Sequence, residues 1–366
     1  MTSAGNQPLQ NSNAIVLSAG GTGGHMFPAF ALARELKERG FDVSLVTDAR
    51  GEKYRTLYTD LFFHIVKADT LRPGVMAKIQ MAFALIAGTG QAFQMLKKIR
   101  PKAVVVCGVY PSFPAVIAAQ VRRIPTIIHE QNAVLGRANK MVAGGATKIA
   151  LALPDLSGIP EAWKAKTIVT GNPVRADIAA VGPYVQAGEV FRILVLGGSQ
   201  GATVFSKVVP EAIGMLPDHL KKRVSIVQQC RAGDLAGVRH DYDVMGVNAR
   251  LETFIADVPA QLAACHLLIA RSGASTVSEA AAAGRPAIFV PYPHHKDQQQ
   301  KRNAEVLVRA GAASLMDEKT MTPASLAKEL EKLMADPAQL AAMAASARNA
   351  LESNASKRLA DAIAGL

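Results

Sequence analysis

Four glycines fall within five positions directly after an apolar run, Gly20-Gly21-Thr22-Gly23-Gly24, and His25 follows them. Glycine lets the backbone turn sharply and approach a ligand closely. The free N–H groups and the dipole at a helix start favour an anion there. A neutral imidazole beside such a loop can take a proton from an attacking hydroxyl, and a helix N-terminus depresses its pKa toward the neutral form. A second polar cluster, His129-Glu130-Gln131-Asn132, supplies a carboxylate and two amides. Glu130 is a rival base or an orienting acid, and Asn132 can bind a polar ligand group. The same four residues can equally satisfy backbone groups of their own loop.

The second half of the chain repeats the anion-binding pattern. Gly197-Gly198-Ser199-Gln200-Gly201-Ala202 follows an apolar run, and Ser199 can donate to a phosphate. Just before it, Asn172-Pro173-Val174-Arg175 carries a guanidinium able to neutralise a diphosphate. Arg271-Ser272-Gly273-Ala274-Ser275-Thr276-Val277-Ser278-Glu279 again sets small residues at a helix start, with Glu279 two turns in, where a carboxylate can accept from both hydroxyls of a ribose. The loop from Pro291 to Gln300 is crowded with amides suited to sugar hydroxyls. Its His294-His295 pair lacks a third metal ligand. The first glycine loop fits a nucleotide fingerprint poorly: no Gly-Lys-Ser/Thr follows it, and its spacing departs from GxGxxG. Asp48 as a ribose acid would suit a nicotinamide dehydrogenase, a reading this mismatch weakens.

Placing these loops requires alternating strands and helices. The first half predicts strands over Ala14–Ser18, Asp42–Thr47, Ala103–Cys107, Pro125–His129, Lys148–Ala152 and Thr167–Thr170, with a helix from Pro28 to Arg39. The second half restarts at Arg192–Leu196 and continues with strands at Val224–Gln228, His266–Ala270 and Ala287–Val290. The segment 176–190, with Gly182, Pro183 and Gly188, predicts a linker. The fold class is therefore α/β, with two Rossmann-like, doubly wound parallel-sheet domains: 1–180 and 181–340, then C-terminal helices over 341–366 that pack back on the first domain. At 366 residues the chain has room for two such domains.

Composition narrows the functional classes. The formal charge is +12, and residues 1–186 hold 21 Lys+Arg against 11 Asp+Glu, so the excess sits in the first half. No RNP-like motif, zinc finger or lysine-rich tail accompanies it, which argues against nucleic acid and for an anionic membrane or a phosphorylated substrate. Cys107, Cys230 and Cys265 are too few and too scattered for a disulfide framework or a CxxC metal site, which fits a reducing cytoplasm. The first residues lack the pattern of a secretory signal, and no run approaches the roughly 20 apolar residues of a spanning helix. Between Leu71 and Ala87, however, Val75, Ile79, Phe83 and Ile86 recur at helical spacing near Arg72 and Lys78. They form either a monotopic membrane patch or a core face.

Taken in order and spacing, GGTGGHMFP, HEQN, GNPVR, GGSQGA, SGASTVSEAAAAGRP and HKDQQQKRNA resemble the MurG family of undecaprenyl-diphospho-muramoylpentapeptide N-acetylglucosaminyltransferases, from about Ala14 to Gly311. The resemblance implies a GT-B fold, with the two domains facing across a cleft. It implies UDP-N-acetylglucosamine as donor, lipid I as acceptor, and no obligatory cofactor beyond a stimulatory Mg²⁺. It implies a peripheral protein on the cytoplasmic face of the inner membrane, among other proteins of cell-wall synthesis and division. By the same resemblance Thr22, Gly23 and Gly24 lie beside the donor sugar and diphosphate, and Asn132 reaches the N-acetylglucosamine. Arg175 and Ser199 bind phosphate, and Ile255 offers backbone contacts to uracil. Ala274, Ser275, Thr276, Val277, Ser278 and Glu279 run along the nucleotide, and Gln299 or Gln300 meets the sugar. Local departures are Cys107-Gly108-Val109-Tyr110-Pro111 in place of a Gly-Gly-Tyr run, and the His294-His295 pair, which leaves Gln299 and Gln300 as alternatives. The implied reaction inverts the anomeric centre, with His25 the first candidate for base. An epimerase of UDP-N-acetylglucosamine and a non-catalytic nucleotide-binding membrane adaptor are the competing readings.

Overall fold

The computed structural model describes residues 13–21, 23–68, 74–108, 110–154, 156–198, 201–295 and 297–366, with side chains omitted at 75, 77, 78 and 110. The chain divides into two units, residues 1–175 with 354–366, and residues 176–353.

The first unit is built on a seven-stranded sheet: β1 (Ala14–Ala19), β2 (Asp42–Thr47), β3 (Phe62–Ile65), β4 (Ala103–Cys107), β5 (Thr126–Glu130), β6 (Lys148–Leu151) and β7 (Thr167–Val169). Their spatial order is β3-β2-β1-β4-β5-β6-β7, and every pairing is parallel. Central strands such as β1 and β4 are apolar on both faces because helices cover both. On one face α1 (Gly23–Glu38) packs over Ile15, Leu17 and Leu45. On the other, α2 (Val75–Ile99) and α3 (Phe113–Val121) cover Val16, Val46 and Val104, and α4 (Arg137–Ala143) covers Ile128 and Ile149. Each such fully buried Val, Leu or Ile contributes about 1.5–3 kcal/mol.

The second unit carries a six-stranded parallel sheet in the order β10-β9-β8-β11-β12-β13. Its strands are β8 (Phe191–Leu196), β9 (Val224–Gln229), β10 (Asn248–Glu252), β11 (Leu267–Ala270), β12 (Ala287–Phe289) and β13 (Ala313–Leu315). Among its helices are α5 (Ala176–Ala179), α6 (Thr203–Gly214), α7 (Asp218–Lys221), α8 (Leu235–Met245), α9 (Val258–Ala264), α10 (Ala274–Ala283), α11 (Gln299–Arg309), α12 (Pro323–Ala335) and α13 (Pro337–Ala350). The last helix, α14 (Ala355–Ala364), belongs to the first unit. Leu359, Ala360 and Ile363 join the core beneath α1, and Arg39 Nη1 meets Asp361 Oδ1 at 2.6 Å.

Several elements differ from expectation. The strands β3, β10 and β13 were not anticipated, and all three are sheet edges. The helix expected to open at Pro28 opens at Gly23, so Gly23, Gly24 and His25 form its first turn. Pro28 is accommodated because its missing N–H forgoes only a bond to the carbonyl of Gly24, on the exposed first turn. The expected linker 176–190 begins as structure: α5 buries Ile178 completely, Val181 is 6% exposed, and Arg348 Nη2 donates to the carbonyls of Val181 and Gly182. The chain therefore enters the second unit at Ala176 rather than at 181. Of the helices expected to return, α13 stays with the second unit through Leu340, Met343 and Ala347, and α14 alone joins the first.

The first half of α2 leaves its apolar residues uncovered: Met76, Ile79, Phe83 and Ile86 are 67, 44, 70 and 70% exposed, whereas Ala92, Leu96 and Ile99 in its second half are buried. A core role for Ile79 and Phe83 is thereby set aside. The side chain of Val75 lies outside the described residues. Among the described residues no helix is long and apolar enough to cross a membrane.

Candidate active site

In each sheet the strand order reverses once, between β1 and β4 in the first and between β8 and β11 in the second. In open α/β sheets ligands bind outside the carboxyl ends of strands at such a reversal. His25 follows β1, and Gly108 follows β4. The glycine loop beginning at Gly197 follows β8, and Ala274 to Glu279 follow β11. The sequence motifs therefore stand at the two positions where the topology leaves a crevice.

At the first reversal His25 is half-buried in the opening turn of α1. Its Nδ1 lies 3.0 Å from Gln131 Oε1. An amide oxygen accepts, so Nδ1 carries the proton and Nε2 the lone pair. Gly108 backs the ring. It has φ +96°, and a Cβ there would collide with the imidazole, so the backbone of Gly108 occupies space no side chain could share. Burial lowers the His25 pKa below the ordinary 6.5, an effect the Gln131 bond only partly opposes, and the ring is held neutral.

The Glu130 carboxylate is 2% exposed and is taken up by its own loop. Its Oε1 accepts from the Asn132 backbone N–H at 3.0 Å and from Asn132 Nδ2 at 3.2 Å. Its Oε2 accepts from the Gly136 N–H and from Asn139 Nδ2, both at 2.8 Å. Burial pushes its pKa up while these four bonds pull it down. Asn132 is thus part of the same knot. His129, fully buried, meets the carbonyl of Gly171 through Nε2 at 3.0 Å, and burial lowers its pKa to about 4. Arg175 is half-buried with its guanidinium 4.8 Å from the centre of the Phe27 ring, beside α1.

At the second reversal, α10 begins at Ala274, which is 8% exposed. Val277 and Ser278 face inward, Ser278 Oγ donating to the carbonyl of Ala274 at 2.9 Å, whereas Ser275, Thr276 and Glu279 are half-buried. The side chain of Ile255 is buried and that of the preceding Phe254 is 72% exposed. In the amide-rich loop, Gln300 Oε1 accepts from the Tyr292 N–H at 2.9 Å, and Gln299 Nε2 lies 2.6 Å from His295 Nδ1. Both glutamines therefore fix the loop, and neither stands apart from it. Thr22 and Ser199 lie outside the described residues. Among the described residues no three His, Cys, Asp or Glu side chains converge as a metal-binding set.

Three contributors escaped the sequence. Gln131 and Gly108 hold the imidazole from other strand ends. Arg271, 9% exposed, donates from Nη1 to the carbonyls of Val290 and Pro291, pairs with Glu318 and lies 5.6 Å from the Tyr292 ring centre, anchoring the amide-rich loop. The only available signal for Arg271 was its place at a strand end beside the small-residue motif.

Known proteins match this geometry along nearly the whole chain. The glycosyltransferase family 28 N-terminal domain matches residues 15–151, and the C-terminal domain of the same family matches residues 192–363. The UDP-N-acetylglucosamine–N-acetylmuramyl-(pentapeptide) pyrophosphoryl-undecaprenol N-acetylglucosamine transferase of Rhodospirillum centenum is 48% identical over 355 residues, covering 96% of this chain and 94% of its own. The crystal structure of Acinetobacter baumannii MurG superposes with a TM-score of 0.76 at 30% identity, covering 96% of this chain and 99% of that one. A UDP-GlcNAc 2-epimerase of Neisseria meningitidis shares the fold alone, with a TM-score of 0.67 at 15% identity over 96% of this chain and all of its own. Both sheets carry their small-residue loops where the family's two domains match, and the chain belongs to glycosyltransferase family 28, in its MurG branch.

Proposed function

We propose that this chain moves N-acetylglucosamine from UDP-N-acetylglucosamine to the muramoyl 4-hydroxyl of lipid I, giving lipid II with inversion at the anomeric carbon. The observation that carries the reading is the place of His25 in the opening turn of α1 with Nδ1 3.0 Å from Gln131 Oε1, an arrangement that, with burial lowering its pKa, makes Nε2 the acceptor. The acceptor oxygen attacks C1 of the sugar, its proton passes to Nε2, the bond from C1 to the diphosphate oxygen breaks, and that electron pair leaves with UDP. In this reading Glu130 is a positioning residue rather than a base, because its four bonds shape the loop that presents Gln131. Within the second unit, the diphosphate is met by backbone N–H groups at the starts of α6 and α10 and by Ser199, the ribose by Glu279, the uracil by the backbone of Ile255, and the sugar by the amides of the 291–300 loop. In this reading no divalent ion is obligatory, and Mg²⁺ is stimulatory.

The acceptor is a lipid, and the uncovered apolar half of α2 supports peripheral attachment through Ile79 and Phe83. The positive first half of the chain supports an anionic surface, which we assign to the cytoplasmic face of the inner membrane.

His25→Ala tests the base. Its kcat is expected to fall about 10²–10⁴-fold, with UDP binding unchanged within about twofold. Near-normal turnover would remove His25 from the reaction.

A further inference from the structure

Gln229, the last residue of β9, is 9% exposed and belongs to none of the recognised motifs. Its side chain spans two segments of the second unit. Oε1 accepts from the backbone N–H of Gly197 at 3.1 Å, and Nε2 donates to the carbonyl of Thr253 at 3.3 Å. Gly197 opens the glycine loop ahead of α6, and Thr253 leads into Phe254-Ile255. The adjacent Gln228 has a different task in the core, where its Oε1 accepts from the Tyr242 hydroxyl at 2.7 Å. A glutamine amide offers an acceptor and a donor at the two ends of one rigid plane, so a single side chain meets both groups.

We propose that Gln229 is a positioning residue that ties the phosphate-binding loop to the base-reading segment and so sets the preference for uridine nucleotides. This rests on the donor site assigned above. With the bridge intact, a diphosphate seated on the Gly197 loop fixes where the base meets the 253–255 backbone. Without it the two segments bind their parts of the nucleotide independently, and the base loses most of its discrimination.

The test uses the full chain with Gln229→Leu and Gln229→Glu at pH 8, folding checked by thermal unfolding. Binding of UDP, CDP and inorganic pyrophosphate is measured calorimetrically, and transfer is followed with both substrates varied. Gln229→Leu is expected to weaken UDP about tenfold, raise the donor KM to match and lower the UDP-over-CDP preference. Its kcat and the acceptor KM stay within about twofold. Gln229→Glu keeps an acceptor for Gly197 but sets a carboxylate against the Thr253 carbonyl. It is expected to lose UDP-over-CDP preference while holding pyrophosphate as the wild type does, and this split decides the matter even if the leucine variant does not fold. Unchanged UDP affinity and preference in the variants overturn the bridge. So does a parallel loss in kcat and both KM values, which marks a general structural role. A wild type that binds UDP no better than it binds CDP overturns the uridine site itself, a different failure from that of the bridge.

Discussion

At the scale of single residues, His25 Nδ1 stands 3.0 Å from Gln131 Oε1, and the Glu130 carboxylate is held by four donors. His25 could be read beside its glycines because loop, histidine and helix start are contiguous. Its partner Gln131 could not, being 106 positions away at the end of another strand. Glu130 could be read as a carboxylate at a strand end, but not as one already occupied, because two of its four donors come from Gly136 and Asn139 beyond the motif. The histidine next to it has a consequence for stability. His129 titrates near 4 when folded and near 6.5 when unfolded. Between those values the unfolded chain binds a proton that the folded chain refuses, so its contribution is complete above pH 6.5 and is lost as pH falls toward 4. The loss amounts to on the order of 3 kcal/mol across the window. Urea unfolding between pH 7 and pH 4.5 is expected to show stability falling with acid, and the slope is expected to be shallower in His129→Gln. Equal slopes in the two proteins would contradict this assignment.

At the scale of elements, central strands announced themselves because both faces are buried, giving runs such as Ala-Val-Val-Val-Cys in β4. Three of the four edge strands, β3, β10 and β13, did not. β10 reads Asn-Ala-Arg-Leu-Glu and leaves Asn248 and Arg250 exposed, and β3 and β13 are only three or four residues long, so apolar periodicity carried little signal. Helix α2 shows the opposite difficulty: its composition fits burial or a membrane equally, and only the exposure of Phe83 and Ile86 separates them. Replacing Ile79 and Phe83 together by Ser removes apolar surface that the fold does not use. The double variant is expected to unfold within about 0.5 kcal/mol of the wild type. Its partition onto anionic vesicles is expected to drop at least tenfold in a sedimentation assay. Undiminished vesicle binding, or a marked loss of stability, would contradict the patch.

At the scale of the molecule, two α/β units were legible from the restart of the strand pattern at Arg192 and from the repeated small-residue loops. The path of the chain between them was not. Ile178 and Val181 look like linker residues until the pocket that buries them is seen, and α14 belongs to the first unit because Leu359 and Ile363 complete the core under α1. In the proposed reaction the two sheets divide the work: the reversal of the first offers a base for an acceptor, and that of the second offers helix starts for a sugar nucleotide. Family 28 transferases and UDP-N-acetylglucosamine epimerases share such sheets, so the acceptor is what separates them. The most direct measurement incubates the purified chain with UDP-N-acetylglucosamine labelled in the sugar and a lipid I analogue in detergent. The expected result is a β-1,4-linked disaccharide on the lipid and one UDP released per linkage, with release falling to background when the acceptor is withheld. Label recovered as an epimerised sugar, or UDP release indifferent to the acceptor, would contradict it.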